Sequence, residues 1–283
     1  MGIVIALLIF GLIVTVHEFG HFICAKLSGI KVLEFAVGMG PKIISKKIGE
    51  TVYSWRLFPI GGGYCAMEGE DTSGDDPRSF RNAKVWKRII VLVAGAAMNF
   101  VLGMISIVIM VCMMSDIPTT QILGFSGVQN EDGSKTYYAE SYHSGLRHDD
   151  IVVEVDNTKI YSVLDLNFML MLDPNNLEHD LVVKRNGEKI ELDNVKFTDT
   201  KSGNKMDFGL VYLEKTPASV IKYSGQTFAS MSHVVGLSLK YLITGKVSKS
   251  EVSGPVGVVT TISETTEQAE STEDAIFNLL YML

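Results

Sequence analysis

The strongest constraint in this 283-residue chain is an uncharged apolar run that leads directly into a group of ionisable side chains. Residues 2–16 contain no Asp, Glu, Lys or Arg, and His17-Glu18-Phe19-Gly20-His21 follows at once. The run predicts a membrane-crossing helix over about residues 3–27. Ionisable groups at membrane depth are costly and are retained mostly where they pair, bind ions or do chemistry. The fold must therefore accommodate these groups within or beside a bilayer.

The spacing of the two histidines predicts a metal site. Residues four apart on a helix lie on one face, so His17 and His21 can offer two imidazole nitrogens to one ion. Glu18 lies beside them and can take a proton from water. This is the H-E-x-x-H arrangement in which two neutral histidines hold Zn²⁺ and the glutamate is the general base of a peptidase. A solvated helix face with two ordinary histidines is the alternative, and the preceding apolar run disfavours it.

Composition indicates a membrane protein with a soluble insert. Hydrophobic residues make up 47% of the chain, the mean hydropathy is +0.23, and the apolar residues are concentrated in blocks. The net charge of -7 and the lack of a long basic patch exclude nucleic-acid binding. Cys24, Cys65 and Cys112 form no disulfide framework and no C-x-x-C metal site. No Lys or Arg precedes the first apolar segment, so we expect a helix that persists rather than a cleaved signal peptide.

Residues 28–87 are predicted to form a cytoplasmic or re-entrant β-hairpin followed by a Gly-rich loop. Short β-branched and aromatic stretches are separated there by glycines and a proline, which is typical of strands and turns. Gly61, Gly62, Gly63 and Tyr64 are candidate substrate-binding residues. Three consecutive glycines suit a plain turn, and they equally suit an edge to which an extended peptide could add as a further strand.

A second membrane-crossing helix is predicted over residues 88–116, because the chain is uncharged from Ile89 to Ser115. Basic residues immediately before it place the first loop in the cytoplasm by the positive-inside rule. Asn99 is the one strongly polar side chain in this helix. It could form an interhelical hydrogen bond or help to shape the active site, and we weigh the two roles equally.

The remaining sequence predicts four further segments. Residues 117–216 are predicted to form an extracytoplasmic α+β domain with a hairpin around Asn-Gly. Residues 217–245 are predicted to form a third membrane helix, with an interfacial amphipathic helix as the alternative because the run is only moderately apolar. Residues 246–274 are predicted to form a cytoplasmic loop with a turn at its Gly-Pro-Val-Gly motif, and residues 275–283 the start of an incomplete fourth helix.

Three histidines of the predicted α+β domain, His143, His148 and His179, show no spacing that suggests a metal site. We expect them at the protein surface rather than as ligands. The domain therefore contributes no catalytic group of its own.

Several short motifs occur in a fixed order along nearly the whole chain. They are His17–His21, Glu34-Phe35, Val37–Pro41, Pro59–Tyr64, Trp86–Ile89, Ala94-Gly95, Asn99-Phe100, Ser144–Leu146 and Ser253–Gly257. Together they resemble the site-2 intramembrane metalloproteases, in the RseP-like bacterial branch that carries an inserted PDZ domain.

The resemblance implies a multi-pass α-helical membrane protein with a membrane-associated β-hairpin loop and an inserted α+β PDZ-like domain. It implies a bacterial inner (plasma) membrane location with the PDZ-like domain extracytoplasmic. It also implies one Zn²⁺ and cleavage, within the lipid bilayer, of single-pass membrane proteins such as anti-sigma factors or of signal-peptide remnants. A site-1 protease would cut first, and the hairpin with Gly61–Tyr64 would engage the unwound substrate.

Two departures from the family pattern affect these expectations. Asp149-Asp150 stands where the family usually has Gly-Asp, so Asp149 must adopt the left-handed conformation. The family's third zinc ligand is an aspartate in a Leu-Asp-Gly motif, which the chain does not contain. We therefore expect a piece of a longer protein, with a catalytically incomplete membrane-anchored PDZ peptide-binding protein as the alternative function. A metal transporter is disfavoured because only one helix carries a metal-ligand pair.

Overall fold

The computed structural model describes residues 2–70, 76–130, 135–172, 176–198, 206–244, 255–269 and 271–282. The chain divides into two compact units. One comprises Met1–Met110 with Val252–Leu283, and the other comprises Val111–Glu251. The two units are taken in turn below.

Helices dominate the first unit. They are α1 (Gly2–Leu27), α2 (Val85–Met113), α6 (Pro255–Gln268) and α7 (Thr272–Met282). Among the described residues, α1 and α2 are the two helices whose length and apolar composition suffice to cross a membrane, each with a mean hydropathy of 2.3. Only 17% and 22% of these spans are buried, whereas the core helix of a soluble protein is mostly buried. The exposed apolar surface therefore favours contact with lipid.

Helices α1 and α2 pack closely because small residues line their contact. A Cβ atom on Gly20 of α1 would lie 2.3 Å from the carbonyl oxygen of Ala94 in α2. Glycine thus allows the two backbones to approach as larger residues would not. Beyond the end of α1, the Lys87 ammonium donates to the carbonyl oxygen of Ser28 at 2.6 Å. This contact satisfies a carbonyl that the helix leaves without an intrahelical donor.

A folded hairpin of two long strands, β1 (Val32–Ile48) and β2 (Thr51–Met67), joins α1 to α2. The strands pair antiparallel around a turn at residues 49–50, and β1 bends at Gly38 and Gly40, which have φ values of 87° and 88°. Because of the bends, residues 34–37 have partners on both sides, residues 63–66 and residues 52–55. The hairpin is therefore a small sheet with residues 34–37 inside it.

The prediction of a Gly-rich loop after the hairpin is wrong, because the glycine run does not form a loop. Gly61, Gly62 and Gly63 lie within β2, and Val37 of β1 pairs with Gly63. A Cβ on Gly62 would lie 2.1 Å from Val14 Cγ1 of α1. Gly62 and Gly63 lack the Cβ that would collide with α1, because this part of β2 packs directly on the helix.

The second unit is built on a six-stranded sheet. Its strands follow the order β10-β3-β6-β8-β9 with β7 paired to β6, and β4 and β5 form a separate ribbon. The strands are β3 (Ile117–Phe125), β4 (Gly127–Gln129), β5 (Lys135–Tyr137), β6 (Ile151–Val155), β7 (Thr158–Lys159), β8 (Glu178–Arg185), β9 (Glu188–Lys196) and β10 (Phe208–Leu213). The helices are α3 (Glu140–His143), α4 (Val163–Met171) and α5 (Pro217–Ile243). Ile122, Leu146, Val152, Leu166, Leu181 and Val183 form the centre of its apolar core.

Local sequence signals account for the turns of this unit. Asn186 and Gly187 connect β8 to β9 with φ values of 52° and 93°, as the Asn-Gly pair predicts. Asp149 has a φ of 65°, which confirms that it adopts the left-handed conformation. The buried Asp150 next to it accepts hydrogen bonds from Arg185 Nε at 2.7 Å and Nη2 at 2.8 Å. This ion pair ties the turn to the sheet.

Two further expectations need correction. Pro255–Gly257, predicted as a turn in a cytoplasmic loop over residues 246–274, begin helix α6, which packs on α1. Proline suits the first helical turn because its fixed φ is already helical, so a Gly-Pro pair can start a helix as well as form a turn. Ser253 and Gly254 lie outside the described residues. His179, expected at the surface, is 3% exposed because its ring packs against Phe197.

Helix α5 covers most of the residues of the predicted third membrane span. It begins at Pro217 after a Thr216 N-cap and ends at Ile243. Within the described part of the chain it does not reach the apolar composition of α1 and α2. Its buried face carries hydroxyl groups, and Ser230 Oγ lies 2.9 Å from Ser162 Oγ at the start of α4. The span over residues 217–245 and its amphipathic alternative both remain predictions.

Candidate metal centre

The three predicted catalytic side chains meet on one face of α1. Potential ligand atoms of His17, Glu18 and His21 all lie within 4.8 Å of one another. The two imidazole rings are 4.8 Å apart between centroids and nearly perpendicular, at 77°. One helical turn separates the histidines, so the helix alone brings them together.

The backbone of α2 sets the orientation of His21. Its Nδ1 atom lies 2.7 Å from the carbonyl oxygen of Val91. A carbonyl oxygen only accepts, so Nδ1 must carry the proton and Nε2 retains its lone pair. Metal-binding histidines commonly donate their other N–H in this manner, which fixes both tautomer and ring orientation.

Asn99 of α2 lies against the other histidine. Its side-chain nitrogen is 3.4 Å from His17 Nδ1, and its Oδ1 atom is buried without a hydrogen-bond partner among the described residues. The oxygen and nitrogen of an amide are assigned from their partners. A half-turn of the amide would let Oδ1 accept from His17 Nδ1–H, satisfying the buried oxygen and leaving Nε2 of His17 available.

The Nε2 atoms of both histidines lie close to α2 at Gly95, which has no side chain. A Cβ atom on Gly95 would be 2.5 Å from Nε2 of His17 and 2.5 Å from Nε2 of His21. Any larger residue would therefore collide with both imidazole rings. His17 and His21 fit Zn²⁺ as two of its ligands, because neutral imidazoles are among the ligands that zinc prefers.

Strand β2 covers the neighbouring face of α1. A Cβ on Gly63 would lie 3.2 Å from Glu18 Cβ and 3.1 Å from Thr15 Cα. Cys65 follows on the same strand, and burial, together with the negative charges of Glu18 and Glu70, raises the pKa of its thiol to about 12. The strand therefore presents neutral groups and bare backbone beside the proposed base.

The predicted site residues thus have different positions. His17, Glu18 and His21 form one cluster, and Asn99 adjoins it. Gly62 and Gly63 are buried against α1, whereas Tyr64 is 44% exposed. Gly61 lies in β2, and whether this strand contacts substrate stays a prediction.

Sequence reasoning missed two contributors from α2. Val91 acts through its carbonyl, which every residue possesses, so no sequence signal marks it. Gly95 is singled out by the sequence only within the Ala94-Gly95 motif. Its position four residues before Asn99 on the same helix was the available signal, because that spacing puts both residues on one face.

The chain is similar in sequence to proteins of one metalloprotease family. A profile of peptidase family M50 matches residues 5–283. A protein of Clostridium acetobutylicum named as a zinc metalloprotease is 33% identical over 263 residues, which cover 91% of this chain and 73% of that protein. The regulator of sigma-W protease RasP of Bacillus subtilis is 24% identical over 337 residues, covering 89% of this chain and 77% of RasP. Zinc metalloprotease Rip1 of Mycolicibacterium smegmatis is 34% identical over 179 residues, covering 56% and 44%.

The site and these likenesses define a membrane zinc metalloprotease. The chain belongs to peptidase family M50, the site-2 protease family that its motifs resemble. Membership in a family of metalloproteases favours an enzyme over the alternative of a non-catalytic peptide-binding protein.

Proposed function

We propose that this protein is an intramembrane zinc endopeptidase of regulated intramembrane proteolysis. Its substrates would be single-pass membrane proteins such as anti-sigma factors, or signal-peptide remnants. The observation that carries the proposal is the cluster of His17, Glu18 and His21, whose imidazole rings lie against Gly95 where two helices apolar enough to span a bilayer meet. The likeness to RasP, a regulator of sigma-W by its name, supports a substrate that controls transcription.

The described side chains include two metal-binding residues and a general base for peptide-bond hydrolysis. When bound, zinc supplies a Lewis acid that polarises the scissile carbonyl and makes water more acidic. His17 and His21 would hold it, oriented by Asn99 and the Val91 carbonyl. Glu18 takes a proton from the attacking water and passes it to the leaving amine as the peptide bond breaks.

Substrate would approach along the edge of the hairpin sheet. Among the described strands, residues 63–66 pair only with β1, so no strand occupies their other edge. Gly63 lies beside Glu18. An extended substrate segment could pair with this edge as an added strand, which would bring its backbone next to the catalytic helix.

The further parts of the proposal concern topology and partners. The protein would cross the inner (plasma) membrane several times, with the hairpin associated with the cytoplasmic half of the bilayer. The α+β unit would be an extracytoplasmic PDZ-like domain that docks or filters the outer part of substrates after a site-1 protease has cut them. Its separate sheet and core, with the buried Asp150 paired to Arg185, support a domain that folds around its own centre.

Replacing Glu18 by Gln tests the mechanism. The Gln side chain keeps the size of Glu but cannot accept the proton, so we expect cleavage to fall by at least about 100-fold while zinc stays bound. Cleavage of a single-pass reporter and the zinc content of the full-length protein in lipid measure both effects. Glu264→Gln on the exposed side of α6 is the control and should leave cleavage unchanged. Near-normal cleavage by Glu18→Gln would overturn the assignment of the base.

A further inference from the structure

A cluster of charged side chains occupies the hairpin sheet beside the proposed substrate edge. The Glu34 carboxylate accepts from Ser54 Oγ at 2.6 Å, from Arg56 Nη2 at 2.9 Å and from Lys42 Nζ at 2.9 Å. Burial opposes ionisation of Glu34, but the three hydrogen bonds outweigh it and lower its pKa. One anion thus faces two cations, which leaves the cluster with a net positive charge.

The Arg56 side chain is fixed within this cluster. Its Nη1 atom donates to the carbonyl oxygen of Gly40 at 3.1 Å, while Nη2 binds Glu34. The guanidinium carbon lies 5.5 Å from the centroid of the Tyr64 ring. A guanidinium held at two points and set against an aromatic ring has little freedom to move away from a neighbouring charge.

The strand register shows which substrate side chains would meet this cluster. Tyr64 and Ser54 are both partners of Ala36, and Arg56 follows Ser54 by two residues, so these side chains share one face of the sheet. The opposite face carries Phe35, which packs on Phe22 of α1 at 5.0 Å between ring centroids. Alternate side chains of a strand added beside residues 63–66 would therefore point towards α1 and towards the Tyr64–Arg56 face.

We propose that Arg56, held by Glu34 against Tyr64, is a specificity-determining residue of the protease. The substrate side chain that lies beside Tyr64 meets an aromatic ring backed by a guanidinium. This surface accepts aromatic, polar neutral and acidic side chains and rejects Lys and Arg by like-charge repulsion. The inference rests on the proposed function, because it takes the substrate to be an extended strand at this edge.

A charge scan of the substrate tests this inference. Single-pass reporters carry Lys, Gln or Glu at each position around the scissile bond in turn, and kcat/KM is measured with the full-length protein in lipid vesicles. We expect one position at which Lys lowers kcat/KM about tenfold relative to Gln while Glu is tolerated. In Arg56→Gln this difference should shrink to within about twofold, with zinc content unchanged.

Two further variants make the test specific. Lys47→Gln removes an exposed cation from the outer segment of β1, away from the Glu34 cluster, and should keep the wild-type preference. Lys42→Gln makes the cluster neutral and should weaken the discrimination against Lys. If Arg56→Gln fails to fold, which a loss of bound zinc would reveal, Lys42→Gln provides the test in its place.

The outcomes separate this inference from the function on which it rests. A wild-type enzyme that cleaves reporters without charge preference at any position overturns the role of Arg56 alone. So does an undiminished preference in folded Arg56→Gln or, where that variant fails to fold, in Lys42→Gln. Failure of the wild-type protein to cleave any single-pass reporter, with zinc bound, overturns the proposed function itself.

Discussion

At the scale of single residues, the proposed metal centre depends as much on a missing side chain as on the histidines. His17, Glu18 and His21 could be predicted from the sequence because their spacing on a helix fixes their proximity. Gly95 could not be assigned in the same way, since its contribution is to let two imidazole rings lie against α2 without collision. That contact depends on how α1 and α2 pack, which local sequence does not encode.

The first prediction concerns the contact between Gly95 and the two imidazole rings. Gly95→Ala places a methyl group 2.5 Å from both Nε2 atoms, so α1 and α2 must separate or the imidazoles must turn. We expect zinc affinity to fall at least about tenfold, and cleavage with it, because ligand geometry governs the site. Gly103→Ala on the same helix is the matched control, since its Cβ would meet nothing within 4 Å. Wild-type zinc affinity in Gly95→Ala would show that the contact at Gly95 does not set the geometry of the two imidazoles.

The second prediction concerns the orientation of His17. If Asn99 Oδ1 accepts the His17 Nδ1–H, Asn99→Ala removes the acceptor and should weaken zinc binding by about 10- to 100-fold. Asn99→Asp retains an acceptor and should bind zinc better than Asn99→Ala. A zinc titration of the purified variants distinguishes them. Equal affinities for all three proteins would argue against a role for the amide.

At the scale of elements, signals carried by neighbouring residues were predictable and long-range pairings were not. Helix α4 has a capping box formed by Ser162 and Asp165, and the Asn186-Gly187 turn follows from two adjacent residues. The double pairing of residues 34–37 depends on bends in β1 that bring together strands distant in the sequence. The structure of the glycine run could not be predicted from local sequence either, because the packing of β2 on α1 explains Gly62 and Gly63.

The hairpin gives a prediction about pH. Since the folded-state pKa of Glu34 is lowered, its ion pairs stabilise the hairpin above the unfolded pKa of about 4.3 and are lost as pH falls through the folded value. We therefore expect the hairpin to loosen below about pH 4. Trp55 fluorescence in a Trp86→Phe background reports this change between neutral and acidic pH.

A matched variant isolates the contribution of this carboxylate. Glu50 and Asp76 of the same unit also have lowered pKa values, through hydrogen bonds led by those from Arg78. Glu34→Gln should therefore remove only part of the acid transition. If the transition in Glu34→Gln matches the wild type, the ion pairs of Glu34 do not hold the hairpin together.

At the scale of the whole molecule, each unit carries a different part of the proposed activity. The first unit holds the metal centre, the hairpin and the two apolar helices, and the second is an α+β sheet with its own core. Composition predicted this division, because apolar runs flank a stretch of ordinary soluble composition. Hydropathy was less informative for α5, whose hydroxyl-rich face packs on α4.

The most direct test of the account is the dependence of cleavage on zinc. The full-length protein in lipid vesicles is stripped with a chelator, and cleavage of a single-pass reporter is followed before and after zinc is restored. We predict that cleavage disappears with the metal and returns as zinc approaches one ion per protein, in the wild type but not in Glu18→Gln. Cleavage that persists in the zinc-free protein would contradict the central claim that His17, Glu18 and His21 form a zinc protease site.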